Sequence, residues 1–488
     1  MSHVIELVYG TMAHEARAKL PHGLGHAEVL ASAQDLTKYA ILSHRWDMDE
    51  VVYSDLKRQQ NSARLRPKGG TMKFRKFCER AREYNCRYVW IDTACINRES
   101  SAEIDESIRS MFYWYRNAEV CFVYFTEAFG EDLLLHDPWF TRGWTLQELL
   151  APRRVVFLDR TWSKIMPGTY DIERTASRET SASAVDFDDG DADFDESYGG
   201  AESPSPSDLG IAETSVEFLR KIAGLSGIEF AHLLRYTPGP GHARKVFTWI
   251  SKRQTTRSED MAYCLVGLLD LQLAPAYGEG LDRAFYRLQV ECAQRTDDRS
   301  MFLWTGSRSP WNSMFPSHPS AFGNISQVTF HPDDVLTADS LFGAADAWTV
   351  YDPSLNFTNC GLRMMVSLHD VLVAETDWPP TPLDGETGDS AQRYRISFDN
   401  LPAAVVLKWK GEFPDRSTIE MKWKIGVIGS IKRRKPSGSH DELPVAVLLR
   451  VDRMRWPPRY RRFTSAEFES LPPMPNLTGR PPQTIFIE

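Results

Sequence analysis

Four apolar runs, Ala40–Leu42, Tyr88–Ile91, Val120–Phe125 and Val155–Leu158, are separated by stretches whose apolar residues recur every three or four positions. Short strand-like runs alternating with helical periodicity are the pattern of βαβ units, in which crossover helices join parallel strands. One intervening stretch carries Phe74, Phe77, Ala81 and Tyr84 at helical spacing, and another carries Ile104, Ile108, Met111 and Tyr115. Ser100 or Ser101 offers the second of these a hydroxyl N-cap. A third helix is expected to begin near Arg142 and to stop at Pro152, since the residue before a proline resists α geometry. Residues 37–165 therefore read as an α/β domain with a mainly parallel sheet and flanking helices.

Open α/β sheets present ligand-binding groups beyond the carboxyl ends of their strands. The first and second runs both end in polar and aromatic residues, Ser43-His-Arg-Trp-Asp47 and Asp92-Thr-Ala-Cys-Ile-Asn97. In the third helix Trp144 and Glu148 stand one turn apart on one face, an aromatic plate beside a carboxylate. That pair suits a flat ring and the sugar attached to it. Trp46 and Trp144 are either stacking platforms or core. Asp92 closes a buried strand, where a carboxylate needs donors, whether a loop amide, an arginine or a ribose hydroxyl. Arg45 and Arg142 can fork onto phosphate beside a cleft. Glu148 either does chemistry on the sugar, pairs with Arg142 or Arg109, or caps a neighbouring helix. Cys95 follows a strand but has no His at a motif position, only the remote His44, which reads better as orienting its loop.

The rest of the 488 residues divides by composition. Residues 1–36 form an N-terminal extension with no cationic lead into an apolar run, so no secretory signal is expected. Residues 176–208 are rich in Ser, Asp and Gly, and read as an acidic disordered linker that cannot bury enough apolar surface to order itself. Between Glu179 and Leu219 there are twelve acidic residues and no Lys or Arg, more than the whole net charge of −9, so the remainder is close to neutral and gives no reason to expect nucleic-acid binding. A helical region follows at 209–297, and residues 298–488 turn β-rich. Strand candidates there are Val366–Val373, Arg393–Phe398, Ala403–Trp409, Met421–Ile428 and Val445–Val451, with Ile431–Pro436 as a basic hairpin connection. The seven scattered cysteines imply reduced thiols, no disulfide and no metal. The stretch from Ala262 to Ala276 is too short and too interrupted to span a bilayer. A soluble, cytoplasmic protein with no membrane partner is the expectation.

Three blocks in the first domain carry a resemblance. They are Tyr39-Ala-Ile-Leu-Ser-His-Arg-Trp46; Tyr88-Val-Trp-Ile-Asp-Thr-Ala-Cys-Ile-Asn97, with Glu103 and Ser107–Phe112 beyond it; and Trp139-Phe-Thr-Arg-Gly-Trp-Thr-Leu-Gln-Glu-Leu-Leu-Ala-Pro152. In order and spacing they resemble the fungal heterokaryon-incompatibility (HET) domain, and the stretch from Arg253 to Leu288 is similar to the region that follows it. Members often carry Thr at the position of Arg45, and the first thirty residues here are unlike theirs. Larger relatives add an ATPase module and WD repeats, for which this chain has neither phosphate-loop motif nor repeat pattern.

The same blocks are more distantly similar to TIR domains, which implies a TIR-like, flavodoxin-like sheet. Leu42-Ser43-His44-Arg45-Trp46-Asp47 and Ile91-Asp92 match the ends of the first two TIR strands. Trp144-Thr-Leu-Gln-Glu148-Leu resembles the TIR segment whose glutamate cleaves NAD. The resemblance makes Glu148 the catalytic candidate, with Ser43, Arg45, Trp46, Asp92, Arg142 and Trp144 as ligand contacts. Cleaving the nicotinamide–ribose bond develops an oxocarbenium ion that a carboxylate stabilises. NAD would then be a substrate, and no cofactor is required.

Two readings follow: cell-death signalling of the incompatibility or innate-immune type, driven by NAD cleavage after non-self recognition, or a non-catalytic HET module that triggers death by assembling with protein partners or with itself. The absence of Gly-x-Gly-x-x-Gly after the first strand argues against an ordinary dehydrogenase.

Overall fold

A computed structural model of the protein describes residues 37–59, 69–129, 134–165, 172–173, 213–296, 298–323, 336–337, 355–375, 392–398, 401–409, 423–434, 440–452, 458–462 and 483–488. The N-terminal extension 1–36 and the acidic segment 176–208 lie outside these residues. The chain forms two compact units, Met1–Thr237 and Pro238–Glu488, and the division falls within the stretch 209–297 read as one helical region.

In the first unit, strands β1 (Tyr39–His44), β2 (Tyr88–Trp90), β3 (Val120–Tyr124) and β4 (Arg154–Leu158) form the expected parallel sheet in the order β2-β1-β3-β4. A two-residue strand β5 (Ile172–Glu173) adds to β4 antiparallel. The chain crosses from β1 outward to β2, then returns past β1 to β3. This reversal places a topological switch point at the carboxyl ends of β1 and β3.

The crossovers run through α1 (Tyr53–Gln59), α2 (Gly69–Glu83), the single turn α3 (Asp92–Cys95) and α4 (Ser101–Asn117). Ser100 caps α4 by accepting the amide of Glu103, whose own side chain takes the amide of Asn97 at 2.9 Å. The first bond satisfies a donor that the helix start leaves open, and the second fastens the turn before the cap to the helix. One face of the sheet buries Leu42, Phe77, Ala81, Val120 and Phe122 in a continuous core. On the other face Trp90 meets Trp114 and Tyr115 of α4 at centroid distances of 5.3 and 6.0 Å.

The third helix, α5 (Thr145–Leu150), starts later than Arg142 because a 3-10 turn, Pro138–Thr141, precedes it. Asp137 caps that turn through the amide of Trp139, and Pro138 fixes its first dihedral. The first unit ends in α6 (Glu213–Ser226) and α7 (Phe230–Leu234).

The second unit opens with α8 (Ala243–Ile250), α9 (Asp260–Tyr263) and α10 (Leu281–Ala293). The β-rich remainder comprises β6 (Leu336–Thr337), β7 (Asn356–Thr358), β8 (Gly361–Glu375), β9 (Gln392–Phe398), β10 (Leu401–Trp409), β11 (Trp423–Arg434), β12 (His440–Asp452), β13 (Arg459–Arg462) and β14 (Gln483–Ile487). All pairs are antiparallel except β13 with β14. The pairings β8-β14-β13-β12-β11-β8 return to their start, so these strands close a ring rather than lie as an open sheet. Most of the basic run at 431–436 extends β11, with Arg434 paired to His440, instead of forming the connection. Among the described residues no helix is long and apolar enough to cross a membrane.

Gly70 shows how tightly the loop after β1 is packed. Its amide donates to the carbonyl of Asp49 at 2.8 Å, and a Cβ there would lie 2.5 Å from that oxygen and 2.8 Å from Glu50 Cα. Backbone cannot yield as a flexible side chain does. Gly70→Ala is expected to cost on the order of 2 kcal/mol, read as a lower urea midpoint for the first unit; an unchanged midpoint would show that the loop gives way freely.

Candidate functional site

The carboxyl end of β1 carries Ser43 and His44, both buried because the strand lies inside the sheet. Successive strand residues point to opposite sides, so the two side chains enter different polar clusters. The Ser43 hydroxyl donates to Glu148 Oε2 at 2.6 Å and accepts the indole N–H of Trp139 at 2.8 Å. Trp139 sits in the 3-10 turn before α5, and its carbonyl accepts the hydroxyl of Thr145 at 2.8 Å. Strand, turn and helix are thereby locked around one serine oxygen.

Glu148 is only 8 % exposed. Burial pushes its carboxyl up to about 7, the hydrogen bond from Ser43 opposes that, and the nearby charge of Asp92 adds to it. Arg142 and Tyr115 pull the other way. The Tyr115 hydroxyl donates to the carbonyl of Leu42 at 3.0 Å, and burial together with the charge of Glu148 raises its own titration point well above the ordinary value.

His44 leads to the second cluster. Its Nε2 lies 3.1 Å from Asp92 Oδ1, while Asp92 Oδ2 accepts the Trp46 indole N–H at 2.7 Å and stands 3.5 Å from Arg98. Burial works to raise the Asp92 carboxyl, but the hydrogen bond and charge of His44, with Arg98 and Arg142, hold it below the usual carboxylate range. Guanidinium carbons of Arg98 and Arg142 lie 3.8 and 5.0 Å from the centre of the Trp46 ring. An indole held by one carboxylate and flanked by two cations is a rigid, electropositive rim.

The loop after β1 is fixed from below by Lys73 of α2. Its buried ammonium donates to Glu50 Oε1 at 2.6 Å, to the carbonyl of Arg45 at 2.9 Å and to Asp47 Oδ2 at 3.1 Å. Glu50 also takes the amide of Asp47 at 3.0 Å and stands 3.6 Å from His44 Nδ1. A buried pair this well satisfied is costly to break, because either partner alone is an uncompensated charge.

Of the residues expected at the site, Ser43 and Glu148 are in direct contact, and Trp46, Asp92 and Arg142 gather beside them. The Arg45 side chain is exposed, and its backbone carbonyl bonds to Lys73 and His44. Trp144 is half-buried at the start of α5, one turn before Glu148 as the spacing implied. Pairing of Glu148 with Arg109 is not what holds it; Ser43 does. His44, Arg98, Tyr115, Trp139, Glu50 and Lys73 complete the arrangement and were not singled out as ligand contacts. Burial pushes the Cys95 thiol up to about 11, which opposes a nucleophilic role.

Comparison with known proteins now bears on this geometry. Residues 39–133 match the family described as heterokaryon incompatibility protein (HET). That span contains Ser43, Trp46, Asp92, Arg98 and Tyr115, and stops short of Arg142 and Glu148. The vegetative incompatibility protein HET-E-1 of Podospora anserina is 34% identical over 264 residues, which is 51% of this chain and 16% of that protein. The chain thus matches only about a sixth of that relative's length. No solved structure matches the chain.

The raised carboxyl fixes a pH dependence. Folded Glu148 keeps its proton up to about pH 7, whereas the unfolded chain loses it near 4.5. The folded state binds more protons in that window, so stability falls as pH rises through it. Relative to Glu148→Gln, the wild type should lose about 3 kcal/mol across the window, measured as diverging urea midpoints. Parallel midpoints for the two proteins would contradict an elevated carboxyl.

Proposed function

We propose, on the premise that this chain carries a heterokaryon-incompatibility domain, that it acts in vegetative incompatibility and that the domain cleaves NAD at the nicotinamide–ribose bond to signal cell death. The observation behind this reading is the Ser43–Glu148 pair at the switch point of the parallel sheet, beside the Trp46 rim with its two guanidiniums. In an open sheet that crevice is where a dinucleotide sits. Arg98 and Arg142 would face its pyrophosphate and Trp46 a ring. Glu148 would stabilise the cation that develops on the ribose as nicotinamide leaves, in the manner of a glycosidase carboxylate. Asp92, kept ionised by its partners, would hold the electropositive rim in place.

The burial of Glu148 favours a second reading. A carboxylate that is 8 % exposed and satisfied by a serine also serves as a packing element of a non-catalytic module, which would signal by assembling with protein partners or with itself.

Nicotinamide release by the purified protein separates the two. The catalytic reading expects release by wild type, a loss of about a hundredfold or more in Glu148→Gln, and a rate that rises with pH through about 7, since only the ionised carboxylate stabilises the cation. Wild type that is inert even when clustered on a surface, yet kills cells when expressed, leaves the assembly module as the function.

A further inference from the structure

In the second unit, β13 alternates. Tyr460 and Arg462 are buried, so by the two-residue period Arg459 and Arg461 share the opposite side. The side chain of Arg462 donates to the carbonyls of Phe302 at 2.8 Å, Trp304 at 3.2 Å and Met314 at 3.4 Å, and its guanidinium carbon lies 4.1 Å from the centre of the Trp304 ring. It pins the loop between those residues. Asn312 fastens the same loop to the carbonyl of Ile487 at 2.7 Å, and the amide of Ser313 bonds to that of Glu488 at 2.9 Å. The loop is therefore built into the frame of the strands.

That loop and β13 enclose a polar cavity of about 550 Å³, within the usual size of a small-molecule site. Three guanidiniums line it, from Arg308, Arg459 and Arg461, against the one carboxylate side chain of Glu488. Glu488 engages both Arg459 and Arg461, the latter at 3.2 Å. Among the described residues the Arg308 side chain donates to the carbonyl of Arg462, at a long 3.5 Å. Burial, and to a lesser degree the charges of Arg461 and Arg450, hold Arg308 below the usual guanidinium value. Trp311 also lines the cavity. Arg283 lies 4.3 Å from its ring centre, and the indole is still 51 % exposed.

Excess guanidinium charge selects a phosphate, which Arg meets with paired donors. An exposed indole at the same cavity selects a flat ring, because bases stack on aromatic faces. We propose that this cavity binds a nucleotide, its phosphates on Arg308 and Arg461 and its base against Trp311. The site is independent of the Glu148 cluster and of whether NAD is cleaved there.

Equilibrium dialysis of the full chain with ADP tests it, with adenosine and pyrophosphate as separate probes. Saturable ADP binding below about 1 mM is expected, weakening as salt is added. Arg308→Ala/Arg461→Ala and Trp311→Ala should each weaken it on the order of tenfold. Adenosine should bind weakly, and pyrophosphate should compete. Lys76→Ala, on the exposed face of α2 in the first unit, should leave ADP binding unchanged, and any ADP held at the Trp46 rim remains as the residual binding of the cavity variants. Arg461 is 39 % exposed at its side chain and Trp311 51 %, so these variants should fold, which circular dichroism checks. The proposal is overturned by the absence of saturable binding at millimolar ADP, or by binding indifferent to the cavity variants.

Discussion

The hydrogen bond from Ser43 to Glu148 holds the first unit's functional edge together. It ties the last buried residues of the central strand to a helix more than a hundred positions later, and the Trp139 indole closes it on the far side. The carboxylate is thereby withdrawn from water by more than Ser43, Arg142 and Tyr115 offset, so its proton becomes harder to remove. Asp92, which the next residue of that strand, His44, meets beyond the end of β2, experiences the reverse: His44, Arg98 and Arg142 keep it ionised. Two carboxylates with opposite tendencies at the end of one sheet are what an acid–base or charge-stabilising site requires. The same separation would also serve to hold the loop and the helix in a fixed relation.

Rigidity on the other side comes from a different device. Lys73 gathers Glu50, Asp47 and a backbone carbonyl beneath the loop, and Gly70 lets the helix backbone approach that loop closely. The second unit uses buried guanidiniums for the same purpose. Arg299 donates to the carbonyls of Met365 and Ile428 at 3.0 and 2.8 Å, and Arg462 spans three carbonyls of one loop. Each cation meets several carbonyls at once, which offsets part of its own desolvation.

Strands and helices whose apolar spacing is regular could be read directly: Ala40–Leu42 lies in β1, all of the run Val120–Phe125 except its last residue lies in β3, and Ser100 caps the helix that carries Ile108 and Tyr115. The start of α5 was misplaced because Pro138 and Asp137 build a separate turn first, a local competition that periodicity does not register. Trp139 is core, and its indole N–H also completes the serine bridge. Lys73 and Glu50 are 23 positions apart and meet only once the helix packs on the loop, so no spacing rule pairs them. The closing of the C-terminal strands into a ring depends on β8 pairing with both β11 and β14, a long-range choice invisible in alternation alone. Glu148 stands one turn from Trp144 as its spacing implies, and packing turns it inward to Ser43.

The most direct measurement follows the ionisation of Glu148 itself, by carbon NMR of protein labelled at its glutamate carboxyl carbons, with the resonance assigned by its loss in Glu148→Gln. The account requires a titration midpoint near 7, displaced further upward in Ser43→Ala as the donor is removed. A midpoint at the ordinary 4.5, indifferent to Ser43, would contradict it.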